Sequence, residues 1–281
     1  IYISVEDYKL YPNQFIMLMS NSNDKKTALG RFIDYNIPLQ KIVKSNQSIW
    51  RTNPRNKEQQ FAFDLLMDPN VPVVSLVGKA GSGKTLLALA AGLEQTFGSN
   101  SEYRKIVVTK PVEPVGKDIG FLPGALREKM DPWLQPIYEN MYALYDKDKI
   151  QKYLADDTIK IVPLSFMRGN TFMNSVVIVD EAQNVTHTQM EMVVTRIGLN
   201  SKMIVCGDKK QIDLKRKMDS GFNFLYKAST QIEGLSSVEL TTNHRSPIVE
   251  QLVDFYTDAH KNGLLKSKII IIKAKGCVTR K

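Results

Sequence analysis

Cysteine and histidine are scarce in this chain, with two of the first and three of the second among 281 residues. None falls at metal-ligand spacing, which excludes a Cys/His metal centre. Two cysteines also exclude a disulfide scaffold and suit a reducing, cytoplasmic compartment. Cys206 ends the apolar run Met203–Cys206 and reads as a small buried hydrophobe. No apolar run reaches membrane-spanning length, so no transmembrane helix is expected. The start lacks a basic region followed by a long apolar stretch and does not read as a signal peptide. It begins at Ile1 rather than Met, as a piece of a longer chain would.

Acidic residues are also in the minority. The net charge is +9 and the isoelectric point about 9.3. Such a balance suits a polyanionic partner. Six basic residues and no acidic ones lie between Lys266 and Lys281, so a net +3 remains for the rest of the chain. Much of the charge is therefore a tail, and net charge alone argues weakly for nucleic acid.

The hydrophobic content of 43% is ample for one sizeable core or a core plus a small module. Residues 1–52 carry short apolar stretches such as Phe15–Met19, with a turn expected over Asn21–Lys25. They read as a small β-rich module ending near Trp50. From residue 53 the pattern alternates. Strands are expected at Val73–Val77, Lys105–Thr109, Thr158–Val162, Val176–Val179, Lys202–Cys206 and Ser237–Leu240. Helices are expected at Lys84–Phe97, Thr188–Ile197 and Pro247–Lys261. This alternation predicts an α/β fold, a parallel sheet with helices on both faces. Trp133, Ile137 and Met141 have helical spacing and read as a buried stripe.

Between the first such strand and its helix lies Gly78-Lys79-Ala80-Gly81-Ser82-Gly83-Lys84-Thr85. It matches G-x-x-x-x-G-K-[ST] in the strand-to-helix context that the motif needs. Glycines let backbone N–H groups turn toward one centre, and the helix aims its N-terminus at the same anion. Lys84 is expected to reach the β- and γ-phosphates of ATP, and Thr85 to hold Mg²⁺. A second apolar strand delivers Asp180-Glu181 to its carboxyl end, where α/β sheets bind ligands. Asp180 is expected in the Mg²⁺ shell. Glu181 is placed to polarise a water for attack on the γ-phosphate. Two adjacent acids suggest hydrolysis rather than phosphoryl transfer to a small acceptor.

Further motifs carry a resemblance. Asp180-Glu-Ala-Gln183, Gly207-Asp208-Lys-Lys-Gln211, Pro111–Gly124, Asp131-Pro-Trp133 and Pro163–Gly169 occur in the order found in the PhoH family of ATPases. Roughly residues 53–262 resemble the PhoH domain of proteins that also carry an N-terminal PIN nuclease domain. The family core is similar to the first RecA-like domain of superfamily 1 helicases. The resemblance implies a P-loop NTPase of RecA-like fold over 53–265, followed by the basic tail 266–281. It implies coupling of ATP turnover to single-stranded RNA, as a helicase or translocase. No acidic cluster marks a PIN site here, so such a domain is expected before Ile1 if it exists.

The same resemblance assigns roles. Asn56-Lys-Glu-Gln59 looks like the helicase motif whose glutamine reads adenine, with Gln60 as the neighbouring possibility. Gln183 and Gln211 look like γ-phosphate sensors, since a neutral amide can bond both water and phosphate. Asp208 follows a strand and lies at the same sheet edge, as a nucleotide-site residue. Thr242–Pro247 resembles the motif that supplies a transition-state arginine, here Arg245. One core of this length cannot present Arg245 to its own site as simply as to a neighbour's, so a hexameric ring is expected. Thr109 and Lys110 follow the second strand, where such helicases touch the sugar-phosphate backbone. Lys117 and Phe121 lie in the next loop, Phe121 as a base-stacking or a packing residue. The alternative is an oligomeric ATPase that acts on a protein partner without nucleic acid.

Overall fold

The computed structural model describes residues 8–42, 48–111, 126–214 and 216–242, with isolated helical positions at 248, 249, 251, 252 and 255. Side chains are described from Leu134 onward in the segment that begins at 126. The expected helix Pro247–Lys261 falls largely outside the described residues, as do the basic tail, Lys117, Phe121 and Arg245. By its contacts the chain divides into one unit up to Asn243 and another from His244. The account below concerns the first.

Three strands open the chain: β1 (Gln14–Ser20), β2 (Asn23–Phe32) and β3 (Gln40–Ile42), paired antiparallel in that order. Ser20 pairs with Asn23, so only Asn21 and Ser22 connect β1 to β2. The expected turn over Asn21–Lys25 is therefore too long. A two-residue connection suffices for a hairpin, and the strand resumes at Asn23 despite its polar sequence. The sheet rests on helix α1 (Lys57–Met67), where Phe15 stacks on Phe61 with ring centres 4.3 Å apart. Arg31, 3% exposed, donates to Asp64 at 2.8 Å and also to Asp68.

The larger sheet has strands β4 (Val73–Gly78), β5 (Lys105–Lys110), β6 (Ile159–Pro163), β7 (Ser175–Val179), β8 (Lys202–Gly207) and β9 (Leu235–Leu240). Their order is β6-β5-β7-β8-β4-β9, and every pairing is parallel. β9 begins two residues before its expected start, because Ser236 is buried in the strand. Alternate residues feed opposite faces. Ile106, Val108, Val176 and Ile178 pack with α1 and α2 (Lys84–Phe97), while Val107, Val177 and Val179 pack on the other side. A sheet covered on both faces explains the near-continuous apolar strands.

Helix α2 matches its expected bounds. Leu87 to Leu93 are at most about 1% exposed where side chains of Leu and Ala are concerned, and each buried Leu contributes about 1.5–3 kcal/mol. Helices α3 (Leu126–Leu144) and α4 (Lys147–Ala155) join the same face through Ile137, Met141 and Ile150, all buried. Ile137 and Met141 thus form the expected stripe; the side chain of Trp133 lies outside the described residues. Helix α5 is shorter than expected, His187–Val194. A capping box of Thr186 and Gln189 starts it, and Ile197 instead bridges to Phe172. Helix α6 (Gly221–Ala228) follows β8. Cys206 is buried, and burial raises its thiol well above the usual value. No helix among the described residues is long and apolar enough to cross a membrane.

Lys202 is the least expected core residue. It opens β8 yet is fully buried, and its ammonium donates to the carbonyls of Leu65 and Asp68 at 3.1 and 2.6 Å. These carbonyls lie at the C-terminal end of α1, where a cation is favoured, and each also accepts a backbone N–H, from Asp68 and Val71 respectively. Burial nonetheless pushes its pKa down to about 8.

Candidate active site

The site forms at the carboxyl edge of β4, β7 and β8. Gly78 ends β4, and a Cβ there would lie 2.7 Å from both the Leu240 carbonyl and Ser82 Oγ. Gly83 has φ +92°, a left-handed conformation that glycine adopts without strain, and a Cβ on it would press on the Gln59 amide at 3.2 Å. Lys84 begins α2. Its ammonium folds over its own loop, donating to the carbonyls of Gly78 at 2.6 Å and Lys79 at 3.0 Å. Lys79, Ala80 and Gly81 form the open side of the loop; Ser82 is buried beneath it.

Thr85, one residue into α2, donates from Oγ1 to Asp180 Oδ1 at 2.8 Å. Asp180 follows β7 and is held by its N–H, which donates to the Thr109 carbonyl at 2.8 Å. It is 7% exposed. Burial raises its pKa, and the charge of Glu181 raises it further; the Thr85 bond and the Lys110 charge work the other way. A buried carboxylate beside a hydroxyl at hydrogen-bond distance is an all-oxygen donor pair, which fits Mg²⁺. Mg²⁺ is usually bound by one or two carboxylates together with substrate phosphates, and this pair offers one carboxylate and one hydroxyl.

Glu181 has φ +51°, in the sparsely populated left-handed region for a non-glycine residue. It starts a short turn over Ala182–Asn184. Gln183 is 1% exposed and lies between two partners. Its Nε2 donates to Glu181 Oε2 at 2.6 Å, and its Oε1 accepts from the Asp208 N–H at 3.0 Å. Asp208 is buried after β8; Oδ1 accepts from the Lys210 N–H at 2.9 Å, and Oδ2 has no partner. Gln211 stands exposed in the loop that follows.

Gln59 is joined to the loop as well. It is 4% exposed, accepts from the Arg55 N–H at 2.9 Å and donates to the Ser82 carbonyl at 3.2 Å. The neighbouring Gln60 instead lines a separate cavity between α1 and the N-terminal sheet, which no residue of Gly78–Thr85 borders. Of the residues expected to meet nucleic acid, Lys110 is half-buried at the end of β5, and its charge acts on Asp180. Thr109 is wholly buried, one residue before Lys110 in β5. It belongs to an interior strand flanked by β6 and β7. Asn184 and Asp213, which the sequence reading does not single out, join the same edge through two mutual hydrogen bonds.

β8 lies between β4, which carries the phosphate loop, and β7, which carries Asp180. That extra strand, with the loop and the carboxylate meeting across it, places the chain among the P-loop ATPases with an additional central strand. Residues 51–257 match the family described as PhoH-like protein, and the chain belongs to that family. It is 38% identical to Protein PhoH2 of Bacillus subtilis (strain 168), over 90% of this chain and 59% of that one. A PhoH-like protein of the same organism is 40% identical over 64% of this chain and 56% of its own length. The chain therefore spans less than two thirds of these relatives. Among solved structures, the helicase domain of Pyrococcus furiosus Hef is similar at a TM-score of 0.41 and 12% identity, covering 70% of this chain and 39% of that one. Pif1 helicase from Candida albicans is similar at 0.37 and 15%, covering 73% and 44%.

Proposed function

We propose that this chain hydrolyses ATP with Mg²⁺ at the Gly78–Thr85 loop and couples that turnover to single-stranded RNA. The observation that carries the first part is the Thr85–Asp180 contact, which joins the phosphate loop to the acidic strand end. Thr85 and Asp180 are the residues to hold Mg²⁺, which when bound neutralises phosphate charge. Lys84 exchanges its two loop carbonyls for phosphate oxygens. Gly78, Lys79, Ala80, Gly81, Ser82 and Gly83 present backbone donors to the same phosphates. Gln59, already joined to Ser82, positions the adenine side. Glu181 takes the proton of the attacking water, while Gln183 and Gln211 report on the γ-phosphate and Asp208 holds Gln183 in place.

Coupling to RNA is supported by the family resemblance, by the basic composition and by Lys110 at the site's edge. Thr109, Lys110 and the loop residues Lys117 and Phe121 are the proposed contacts. Arg245 is proposed to act from a neighbouring subunit, in a hexameric ring, as charge stabiliser for the transferred phosphoryl group. The domain limits proposed for this activity are 53–265, between the module 1–52 and the tail 266–281. The test is the ATPase rate with no polymer, with single-stranded RNA and with single-stranded DNA. RNA should raise the rate above both other conditions. A basal rate that neither polymer changes would favour the protein-partner reading.

A further inference from the structure

Two consecutive residues of the turn after β7 hold the first part of the loop after β8 at two points. Gln183 accepts from the Asp208 N–H at 3.0 Å, where the loop begins. Five residues further on, at the surface, Asn184 and Asp213 exchange two bonds. Asn184 Nδ2 donates to Asp213 Oδ2 at 3.0 Å, and the Asp213 N–H donates to Asn184 Oδ1 at 2.8 Å. Between these points the loop carries Gln211, exposed, and Ile212, 7% exposed. The same turn carries Glu181, whose carboxylate is bonded to Gln183. Glu181 and Gln211 therefore sit on two segments joined twice, by side chains that come from adjacent positions. A single hydrogen bond lets two segments pivot; two bonds exchanged between one pair of residues fix orientation as well.

We propose that Asn184 and Asp213 are positioning residues of this site, which set the reach of Gln211 relative to Glu181. The inference rests on the reading of Glu181 as base and Gln211 as γ-phosphate sensor. Neither Asn184 nor Asp213 acts on phosphate itself. Their effect passes through geometry, where a misplacement of about 1 Å can cost roughly a hundredfold in rate.

The pair allows a swap. Asn184→Asp keeps the acceptor for the residue 213 N–H but sets a carboxylate against the Asp213 carboxylate, and like charges so close repel. Asp213→Asn keeps an oxygen that can accept from Asn184. The double variant N184D/D213N restores a donor and an acceptor with the roles exchanged and the net charge unchanged. ATP turnover and melting temperature are measured for all three, with Glu181→Gln alongside. N184D should lose about 10- to 100-fold in kcat with the KM for ATP within about threefold of the parent. D213N and the double variant should stay within about threefold of the parent in kcat. If N184D does not fold, Asn184→Ser removes the pairing without added charge and should show the same fall in kcat. A folded N184D that turns over like the parent, or a double variant as slow as N184D, overturns the proposal while an inactive E181Q leaves the site reading intact. An active E181Q removes the reading on which the proposal rests.

Discussion

Thr85 and Asp180, 95 residues apart in the chain, meet through a hydroxyl-to-carboxylate hydrogen bond of 2.8 Å. Neither element alone makes a metal site. α2 supplies the hydroxyl because its first turn starts at the glycine-rich loop, and β7 supplies the acid because a strand buried on both faces ends there. If the pair holds Mg²⁺, Thr85→Ala should shift the Mg²⁺ concentration needed for half-maximal ATPase upward, with excess metal restoring part of the rate. Asp180→Asn should lose roughly a hundredfold or more at every Mg²⁺ concentration, the order found when one charge-stabilising group is removed. A Mg²⁺ titration of the two variants checks this; identical midpoints in parent and variants would place the metal elsewhere.

The N-terminal sheet is tied to α1 by a buried cation. Arg31 bonds Asp64 and Asp68, both only partly exposed. Burial raises the Asp64 pKa. At Asp68 burial works in the same direction, but the Arg31 and Asn70 hydrogen bonds outweigh it and hold the carboxyl below its usual value. Arg31→Met leaves two carboxylates facing apolar surroundings, and should cost about 3–5 kcal/mol. Urea unfolding of R31M measures the loss. A change below about 0.5 kcal/mol, the range of ordinary surface substitutions, would show that the Arg31 ion pairs do not hold the module to α1.

Lys202 makes stability depend on alkaline pH. Its folded pKa is about 8, below the unfolded value of about 10.4. Below pH 8 both states carry the proton and the folded chain bears the full burial cost. Between pH 8 and 10.4 only the folded state releases it, so the cost is relieved as pH rises. The parent should therefore gain about 2–3 kcal/mol relative to Lys202→Met across that interval. Denaturant midpoints for both proteins at pH 7.5 and 10.2 give the difference. A stability gap that does not change with pH would contradict the burial of a charged Lys202.

What could be read in the sequence depended on how local the cause was. The bounds of α2 follow from a loop motif and an Ala/Leu run, both contiguous. β7 and its acids follow from five apolar residues and a charge. The N-terminal hairpin was blurred because β2 is polar along Asn23–Lys26, so composition signalled a turn where pairing makes a strand. The burial of Lys202 and Arg31 was not legible because their partners, the end of α1 and two acids at and near it, come from distant segments. Asn184 and Asp213 are 29 positions apart, and each alone is an ordinary loop residue. Thr109 was legible as a strand end but not as an interior one, since the neighbours on both sides come from later in the chain.

The most direct measurement of the central claim is ATP binding and turnover by Glu181→Gln, with Lys84→Ala for comparison. Glu181 lies one residue past Asp180, and its carboxylate is already held by Gln183. Removing its basicity while keeping its shape should leave the ATP dissociation constant within about threefold of the parent. Turnover should fall by roughly 10²–10⁴, the range expected for loss of a general base. Lys84→Ala should instead lose tight binding, because phosphate charge loses its partner. Near-normal turnover in Glu181→Gln, or tight ATP binding in Lys84→Ala, would contradict the account.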